Sequence, residues 1–566
     1  MHDGESEIDD PNFFFATNGK IDSSAELNAT LEHFFSDEIK DDNSSVCRFP
    51  ARYEWLKEKL GAEDFPQGEC REYNKVFHRV DPKSVTLVFP SAHINSPASM
   101  FGHTFLRINS SYNSRLLSYA INYAADANTE TENGVVFAIK GLFGGYYGKY
   151  SLLPYYEKLK EYRDSEQRDI WEYDLNLTQD ETMKMFRHIW ELNGTHSYYY
   201  FFTENCSYNM LWLLELSRPS LHLREYFNYQ VIPLETVHAC ASEKIIQKVN
   251  YRPSKRTKLL HYEKLLNKNN LQKVLGLTQE RIFWSQIVAD ESITLEQRQY
   301  ILEVAVEYLE YQFSKGEIKK DDYLRLFHSF TTKRAELGSG KDVEIETSAN
   351  PVMSHRAVRA ELGLGSVGES LRTYIGIRPA YHDLEDSNYG FLRGTQIEFM
   401  NILLSYSSAK EINVEKATII SIVSLAQRSA FFKSFSWRTK FGWDNDYLNE
   451  NSNFYGGIGG GYSWGNEMAF IYFMIDPLFY VEKEVVGALG GSIGMSLDKY
   501  KFFNTNIELT HRFYSSGEEQ NLVKFSQGFR FSQNFQLLFQ YDYKEKKVQN
   551  SYYNEDSLRV TTRYYF

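Results

Sequence analysis

The sequence lacks the long apolar runs, metal-ligand spacings and basic excess that mark several common classes of protein. It has no run of roughly 18 apolar residues, so no transmembrane helix is predicted. The fourteen histidines are scattered and no Cys-x-x-Cys pair occurs, so neither a metal ion nor another cofactor is expected. The net charge of -13 leaves no basic stripe to neutralise phosphates, which excludes a nucleic-acid partner.

The N-terminus and the cysteines bear on the cellular compartment. The first ten residues, MHDGESEIDD, are acidic and contain no apolar signal region. Either the chain is cytoplasmic, or a secretion signal was removed and a start methionine supplied. The cysteines favour the second interpretation, because Cys47 and Cys70 are close enough to close a short loop and a disulfide suits the periplasm. Two free thiols are an equal alternative. Cys240 is left over and is expected to be buried.

A candidate nucleophile lies where an aromatic run meets an apolar helix. The segment YYYFFTEN is followed by Cys206 and then by SYNMLWLLEL. A thiol at the start of a helix feels the partial positive charge of the helix N-terminus, which lowers its pKa. Glu204 and Asn205 directly precede it and are predicted to support the site. The alternative is a buried, unreactive cysteine, the commoner fate of a lone thiol.

A candidate base lies upstream, in the segment SAHINSPASMFGHTFLRI. His103 stands at the entrance of a predicted strand, and residues 116–125 predict a second strand joined to it by a polar hairpin. A turn centred between residues 112 and 113 would place Asn122 opposite His103, where it would orient the imidazole. The register is assumed, since a slip of one residue turns a side chain to the other face.

Other residues compete for these roles. Ser118, Tyr119 and Asn205 are the alternatives to Asn122 as the third member of the site, and His93 is a weaker alternative base. His103 itself has the alternative interpretation of a satisfied core histidine.

These residues carry a resemblance. A His on a strand, a polar residue on the next strand and a later Asn-Cys at a helix start resemble the circularly permuted papain-like (NlpC-type) fold of lecithin:retinol acyltransferase-like enzymes. Four motifs in order, CRFPARYEWL, FPSAHINSPASMFGHTFLRI, GLFGGYYGKYSLLPYYEKLKEY and YYFFTENCSYNMLWLLEL, more closely resemble the Lnb-type periplasmic domain family, named after a lipoprotein N-acyltransferase. The resemblance covers roughly residues 10–250 and implies a thiol acyltransferase-like site at His103 and Cys206. The C-terminal half differs from the membrane helices associated with Lnb.

The remaining patterns divide the chain into four predicted parts. Helical spacing at 23–41 and 51–60 indicates a helical region over residues 1–80. Strands at 84–90, 135–139 and 171–177 and a helix at 179–193 predict an α+β papain-like domain over 81–253. Residues 254–350 combine charged helices with a linker at 338–350. The glycine-rich segment 141–148 lacks the ending of a phosphate-binding loop and predicts tight packing or a site wall.

Residues 351–566 predict a transmembrane β-barrel of about twelve antiparallel strands. Phe529 and Phe531 alternate with Arg530 and Ser532, and aromatic girdles would account for 41 Tyr and 40 Phe. The terminal TTRYYF resembles the signal by which outer-membrane barrels are recognised. A soluble β-sandwich or lipocalin-like barrel is the alternative. The predicted strands are 354–365, 370–382, 393–407, 412–427, 432–443, 454–464, 468–480, 487–497, 501–514, 522–532, 535–544 and 557–566.

Together these patterns predict a Gram-negative outer-membrane protein whose periplasmic N-terminal region is a thiol acyltransferase. The barrel would lie among outer-membrane lipids, and Cys206 would carry an acyl thioester taken from a phospholipid or lipoprotein substrate. A cell-wall peptide amidase or peptidase of the NlpC type and a non-catalytic barrel or scaffold are the alternatives. The acyl donor and acceptor, transfer against hydrolysis, pore activity and the oligomeric state stay open.

Overall fold

The chain forms two compact units, one within residues 1–254 and one within residues 255–566. The structure is a computed structural model. It describes residues 4–36, 41–61, 65–92, 102–112, 114–126, 140–141, 144–227, 229–341, 343–409, 411–447, 452–466, 468–481, 484–499, 502–548 and 551–566. The predicted strand 135–139 and His93 lie outside these ranges.

Four helices open the first unit: Ser23–Ser36, Ser45–Arg48, Pro50–Leu60 and Arg71–Val80. A disulfide joins Cys47 to Cys70, with the two Cα atoms 5.1 Å apart. The buried Glu191 accepts hydrogen bonds from the backbone N–H groups of Ala51 and Arg52, at 2.7 and 2.8 Å. A carboxylate at a helix N-terminus is favourable, so this contact fixes the helix Pro50–Leu60 on the rest of the unit.

A seven-stranded antiparallel sheet forms the centre of the first unit, in the order β6-β4-β3-β2-β1-β5-β7. The apolar segment Ser84–Pro90 (β1) is buried from Val85 onward, as expected for a central strand. The other strands are Phe105–Asn109 (β2), Tyr119–Ala125 (β3), Tyr146–Pro154 (β4), Ile170–Leu175 (β5), Ser197–Tyr199 (β6) and Ile246–Arg252 (β7).

Helices between the strands cover the sheet. They span Tyr155–Leu159, Gln179–Glu191, Cys206–Ser217 and Pro233–Ser242, and a π-helical turn spans Lys160–Ser165. The helix Gln179–Glu191 begins with a capping box made by Thr178 and Glu181 and is followed by Gly194 in the left-handed conformation. Of the glycine-rich segment, Gly148 lies in β4 against the ring of Tyr123, where a larger residue would collide.

The second unit begins with five helices: Lys255–Leu265, Lys268–Thr278, Trp284–Ala289, Leu295–Ser314 and Lys320–Glu336. Their apolar faces form one buried cluster that includes Ile301, Leu302 and Leu309, and Phe431 and Phe432 from the strand-rich region join it. No helix in the described ranges has the length and apolar character needed to cross a membrane.

Twelve long antiparallel strands then close into a barrel, because β21 pairs with β8 and β9 pairs with β11. This confirms the predicted fold class of an α+β region followed by a twelve-stranded barrel. The short β13 (Gln427–Arg428) pairs in parallel with β15, and the short β10 (Ala380–His382) continues β9. The long strands are Arg359–Val367 (β8), Ser370–Arg378 (β9), Thr395–Ser407 (β11), Ile412–Ser424 (β12), Ser436–Asp444 (β14), Asn453–Gly465 (β15), Ala469–Val481 (β16), Val485–Lys499 (β17), Phe503–Tyr514 (β18), Glu519–Ser532 (β19), Phe535–Val548 (β20) and Ser551–Tyr565 (β21).

The outer face of the barrel is apolar. Along β16, Ile471, Phe473 and Ile475 are 53%, 41% and 48% exposed, whereas the alternate residues Met474 and Asp476 are buried. A soluble barrel would present polar side chains outward, so this alternation is that of a membrane-spanning barrel.

Two chain segments lie against the inward-facing side chains of the barrel. In the first, residues 383–388, the carbonyl groups of Leu384 and Asp386 accept hydrogen bonds from Asn504 at 3.2 and 2.6 Å. In the second, residues 445–447, the Asp446 carboxylate pairs with Lys524 at 2.9 Å. The lumen of the barrel therefore contains polypeptide.

Candidate functional site

Cys206 occupies the first position of an apolar helix whose start is fixed by its neighbour. The Asn205 side-chain oxygen accepts from the N–H groups of Ser207 and Tyr208 at 2.9 and 3.2 Å. Its amide donates to the carbonyl groups of Phe201 and Val231. Asn205 is thus an N-cap, and all of these contacts are to backbone, so it does not orient His103.

His103 follows a glycine that the backbone requires. Gly102 has φ +85°, and a Cβ there would lie 2.7 Å from the ring of Phe89. The His103 ring Nε2 lies 3.0 Å from the Asn122 side-chain oxygen. Because an amide oxygen only accepts, Nε2 carries the proton and Nδ1 is left to face the thiol.

The predicted hairpin register is wrong by two residues. Leu106 pairs with Ile121 and Ile108 pairs with Tyr119. Continuing this antiparallel pairing by one residue places position 105, not 103, opposite Asn122. The connection contains a short 3-10 turn at Arg115–Leu117, which shifts the centre of the hairpin. A shift of two residues keeps each side chain on its face, so Asn122 still reaches His103.

Cys206 is buried and His103 is half-buried, and each of the two groups shifts the pKa of the other. Burial alone would raise the pKa of the Cys206 thiol. The charge of His103, the hydrogen bond from it and the backbone N–H of Thr104 outweigh burial and lower that pKa to about 7. Burial likewise opposes the charged form of His103, but the Cys206 charge and the bonds to Cys206 and Asn122 raise the pKa of His103. Both pKa shifts favour a thiolate beside an imidazolium.

Aromatic and hydroxyl side chains complete the surroundings of the pair. The ring of Tyr162 stacks on His103 with centroids 5.6 Å apart. The Tyr199 hydroxyl lies 3.4 Å from the Cys206 backbone nitrogen, and its pKa is held well above the usual value by burial and by the Cys206 charge. It therefore stays protonated beside the sulfur. Nothing in the sequence singles out Tyr199, because a tyrosine in an aromatic run resembles any core residue.

The other predicted residues have different positions. Tyr119 lies three residues from Asn122, and this odd spacing places its side chain on the opposite face of β3 from the Asn122 side chain. Glu204 is half-buried, and its charge acts on Lys20 and Tyr123. Ser118 is buried and accepts a backbone hydrogen bond from Tyr155. Cys240 is a buried free thiol whose pKa is raised by burial to about 12.

Comparison with known proteins extends the description beyond geometry. Residues 72–243 match the Lnb N-terminal periplasmic domain. This Lnb-type domain contains Cys206, His103 and Asn122. Residues 1–59, 249–344 and 348–565 match three domains of unknown function, DUF7843, DUF7842 and DUF7840. No curated protein sequence matches the chain.

Several solved outer-membrane proteins are similar to part of the chain. The NanC porin is 8% identical with a TM-score of 0.26, covering 37% of this chain and 100% of its own. The COG4313 outer membrane channel from Pseudomonas putida F1 is 11% identical with a TM-score of 0.27, covering 40% and 100%. OmpT of Vibrio cholerae is 9% identical with a TM-score of 0.20, covering 37% and 98%. Nothing about this chain follows from likenesses at TM-scores this low.

The Lnb-type periplasmic domain and the apolar outer face of the barrel together establish the location of the chain. It is an outer-membrane protein with a periplasmic N-terminal domain, as predicted from the sequence.

Proposed function

We propose that the chain is an outer-membrane-anchored thiol acyltransferase whose Cys206 takes an acyl group from a lipid or lipoprotein. The observation that carries this proposal is the pairing of the buried Cys206 with the half-buried His103, which lowers the thiol pKa to about 7, while Asn122 lies 3.0 Å from the imidazole. Cysteine, histidine and an orienting amide are the parts of a papain-like nucleophilic site. Such a pair is a functional candidate because burial alone would abolish the thiolate.

In the first half-reaction the Cys206 sulfur attacks the carbonyl carbon of an acyl ester. His103 holds the proton taken from the thiol. As the tetrahedral intermediate collapses, the ester C–O bond breaks and the leaving alkoxide takes that proton from His103. An acyl thioester on Cys206 and a free alcohol result, and no electrons are exchanged with a cofactor.

The developing oxyanion needs donors that are not already committed. Asn205 occupies the N–H groups of Ser207 and Tyr208, so these are not the donors. The Cys206 backbone N–H donates to the Tyr199 hydroxyl oxygen at a long 3.4 Å, a weak bond that an incoming oxyanion can replace. The N–H of Cys206 and the O–H of Tyr199 therefore make the donor pair of the proposed mechanism.

In the second half-reaction an amine attacks the thioester. His103 accepts a proton from the amine, the C–S bond breaks, and the thiolate is restored as an amide forms. Water in place of the amine gives a fatty acid and makes the enzyme a hydrolase. The covalent barrel anchor supports a membrane-bound substrate, because tethering raises its effective concentration near the site.

Exposed aromatic side chains at the sheet edge support a lipid-facing role. Tyr147 and Tyr198 are 44% and 43% exposed, and their rings lie 5.3 Å apart. Tyrosines that present an apolar ring and a polar hydroxyl suit a membrane interface. The neighbouring Tyr123, Tyr150 and Tyr199 are buried and packed together, so their rings belong to the core.

Covalent trapping tests the proposal. Full-length protein is mixed with vesicles of phospholipid and a diacylated lipopeptide, quenched with acid, and the Cys206 peptide is weighed by mass spectrometry. We expect the added mass of one fatty acyl group, removable by hydroxylamine as a thioester is. The same incubation with Cys240→Ala protein is the control and should give the same adduct.

The other results distinguish the alternatives. An added peptide mass after incubation with cell-wall fragments would replace the acyltransferase with an amidase of the NlpC type. If neither adduct forms and Cys206→Ala cells keep unchanged lipid, lipoprotein and cell-wall profiles, the catalytic proposals fail and a scaffold is left.

A further inference from the structure

Three buried side chains in the barrel unit converge on one point. His355 precedes β8, His382 ends β10, and Asp386 lies in the lumen segment 383–388. The His355 Nε2 and His382 Nδ1 atoms are 3.1 Å apart. The Asp386 Oδ2 atom lies 3.7 Å from the first and 3.9 Å from the second. All three residues are at most 1% exposed.

Hydrogen bonds behind the two imidazoles fix where their protons are. His355 Nδ1 lies 2.6 Å from the backbone carbonyl of Arg356. His382 Nε2 lies 3.1 Å from the side-chain oxygen of Asn388. The Asn388 atom that faces His382 is its side-chain oxygen, which can only accept a hydrogen bond. Both outer nitrogens are therefore donors, so in two neutral rings both inner nitrogens carry lone pairs.

Two imidazole lone pairs and a carboxylate oxygen facing one another repel unless a cation lies between them. The point equidistant from the three atoms lies about 2.1 Å from each, which follows from the three separations and equals the usual Zn–N and Zn–O distance. A metal-ligating histidine usually donates its other ring N–H to a nearby oxygen, as His355 and His382 do here.

The surrounding charges also favour a cation. Four carboxylates, of Glu361, Asp383, Glu385 and Asp386, are joined by ion pairs to three guanidinium groups, of Arg359, Arg378 and Arg563. One negative charge is in excess. Arg378 uses the same Asp386 oxygen as the proposed site, so it must move aside when an ion enters, and a proton shared by the two histidines is the competing occupant.

We propose that His355, His382 and Asp386 form a binding site for a divalent first-row transition metal, best suited to Zn²⁺, inside the barrel. Two nitrogens and one oxygen leave a fourth position open for water. Two ligands, His382 and Asp386, come from one continuous stretch and the third, His355, comes from the chain before β8, so the ion fastens these two stretches together. The sequence gives no sign of this, because the ligands have no recognised motif spacing.

Metal titration of the full-length chain tests the site. The Cys206→Ser variant in detergent micelles serves as the reference, so that the thiol cannot contribute. We expect one equivalent of Zn²⁺ by calorimetry, and Co²⁺ to give the visible absorption of a four-coordinate ion. His355→Gln and His382→Gln should each weaken Zn²⁺ binding more than about 100-fold. This exceeds the loss usual when a residue that only hydrogen-bonds a ligand is removed. His511→Gln, at an exposed histidine of β18, should bind like the reference.

A variant of Asn388, which hydrogen-bonds a proposed ligand without being one, keeps the test decisive if the histidine variants misfold. Asn388→Ala, with its fold checked by near-ultraviolet circular dichroism, should weaken Zn²⁺ binding about 10–100-fold. No uptake of Zn²⁺ or Co²⁺ by the reference protein, or equal affinity in the reference, His355→Gln, His382→Gln and Asn388→Ala proteins, overturns the proposal in favour of a shared proton.

Discussion

The start of the helix Cys206–Ser217 and the interior of the helix Pro233–Ser242 each hold a free thiol, and the two thiols behave in opposite ways. Cys206 is 5% exposed and Cys240 is fully buried, so both pay the same kind of desolvation. The pKa of Cys206 nevertheless falls to about 7, whereas that of Cys240 rises to about 12. Burial therefore does not decide reactivity.

Partners make the difference between the two regions. Cys206 has an imidazole, a backbone N–H of Thr104 and the positive end of a helix beside its sulfur. Cys240 stands near the C-terminal end of its helix, where the partial charge is negative, and Glu243 adds a further negative charge. The lesson is that a nucleophile is assigned by the charges around the sulfur.

Removing each thiol in turn should have the largest effect and tests directly whether Cys206 and Cys240 differ in function. Cys206→Ala should abolish the acyl adduct and every activity that depends on it, because no other group can carry the thioester. Cys240→Ala should keep full activity. The measurement is the lipid and lipoprotein profile of cells carrying each variant. Comparable losses in both variants would mean that the thiols act through stability alone.

Removing the proposed oxyanion donor should have the next largest effect. Tyr199→Phe keeps the ring and its packing but loses the hydroxyl, so the rate of acyl transfer should fall about 10²–10³-fold. The substrate KM should change little, because the donor acts in the transition state. Tyr150→Phe, in the neighbouring buried ring, is the matched control. An equal fall of the acyl-transfer rate in both variants, or no fall in either, would contradict the role of Tyr199.

Removing the imidazole charge should make Cys206 resemble Cys240. In His103→Gln protein the thiol pKa should rise from about 7 toward or above its ordinary value. Alkylation by iodoacetamide at pH 7 should then fall about 50-fold, since a two-unit rise leaves about one per cent thiolate. The measurement is the pH profile of alkylation: in the wild type the rate is lost as pH falls through about 7. An inflection at the same pH in the wild type and in His103→Gln would contradict the ion pair between Cys206 and His103.

Removing the Asn122 side chain, which contacts the imidazole of His103, should have the smallest effect on the reactivity of Cys206. Asn122→Ala removes one of the contacts that raise the pKa of His103, so that pKa should fall and the thiol inflection should move upward. We expect a loss of about 10-fold or less in alkylation at pH 7. Ser118→Ala, at a competing candidate on the same sequence segment, should leave the pH profile unchanged. If Ser118→Ala shifts the profile and Asn122→Ala does not, the orienting residue is misassigned.

The barrel was the most predictable part of the chain. Alternation of side chains along a strand is a local property, and in β19 the exposed Phe529 and Phe531 visibly alternate in sequence with Arg530. Strand boundaries moved by a few residues, and the count of twelve was confirmed. What fills the lumen was not predicted, because residues 383–388 are joined to strands far away in sequence.

The candidate site was predicted only in part. Cys206 and His103 have chemically distinctive side chains next to clear signals, a helix start and a glycine before a strand. The hairpin register was wrong because the 3-10 turn Arg115–Leu117 has no strong sequence signal. Tyr199 escaped notice because its role depends on a contact with the Cys206 backbone.

By itself the sequence determined the order of its parts, the family resemblance of the N-terminal domain, the barrel and the thiol at a helix start, because each depends on neighbouring residues and short periods. The groups that surround that thiol, and the histidines that meet inside the barrel, became visible only once the chain was seen folded. Electrostatic interactions change steeply over a few ångströms, and distances of that size between remote residues are set by how the elements pack.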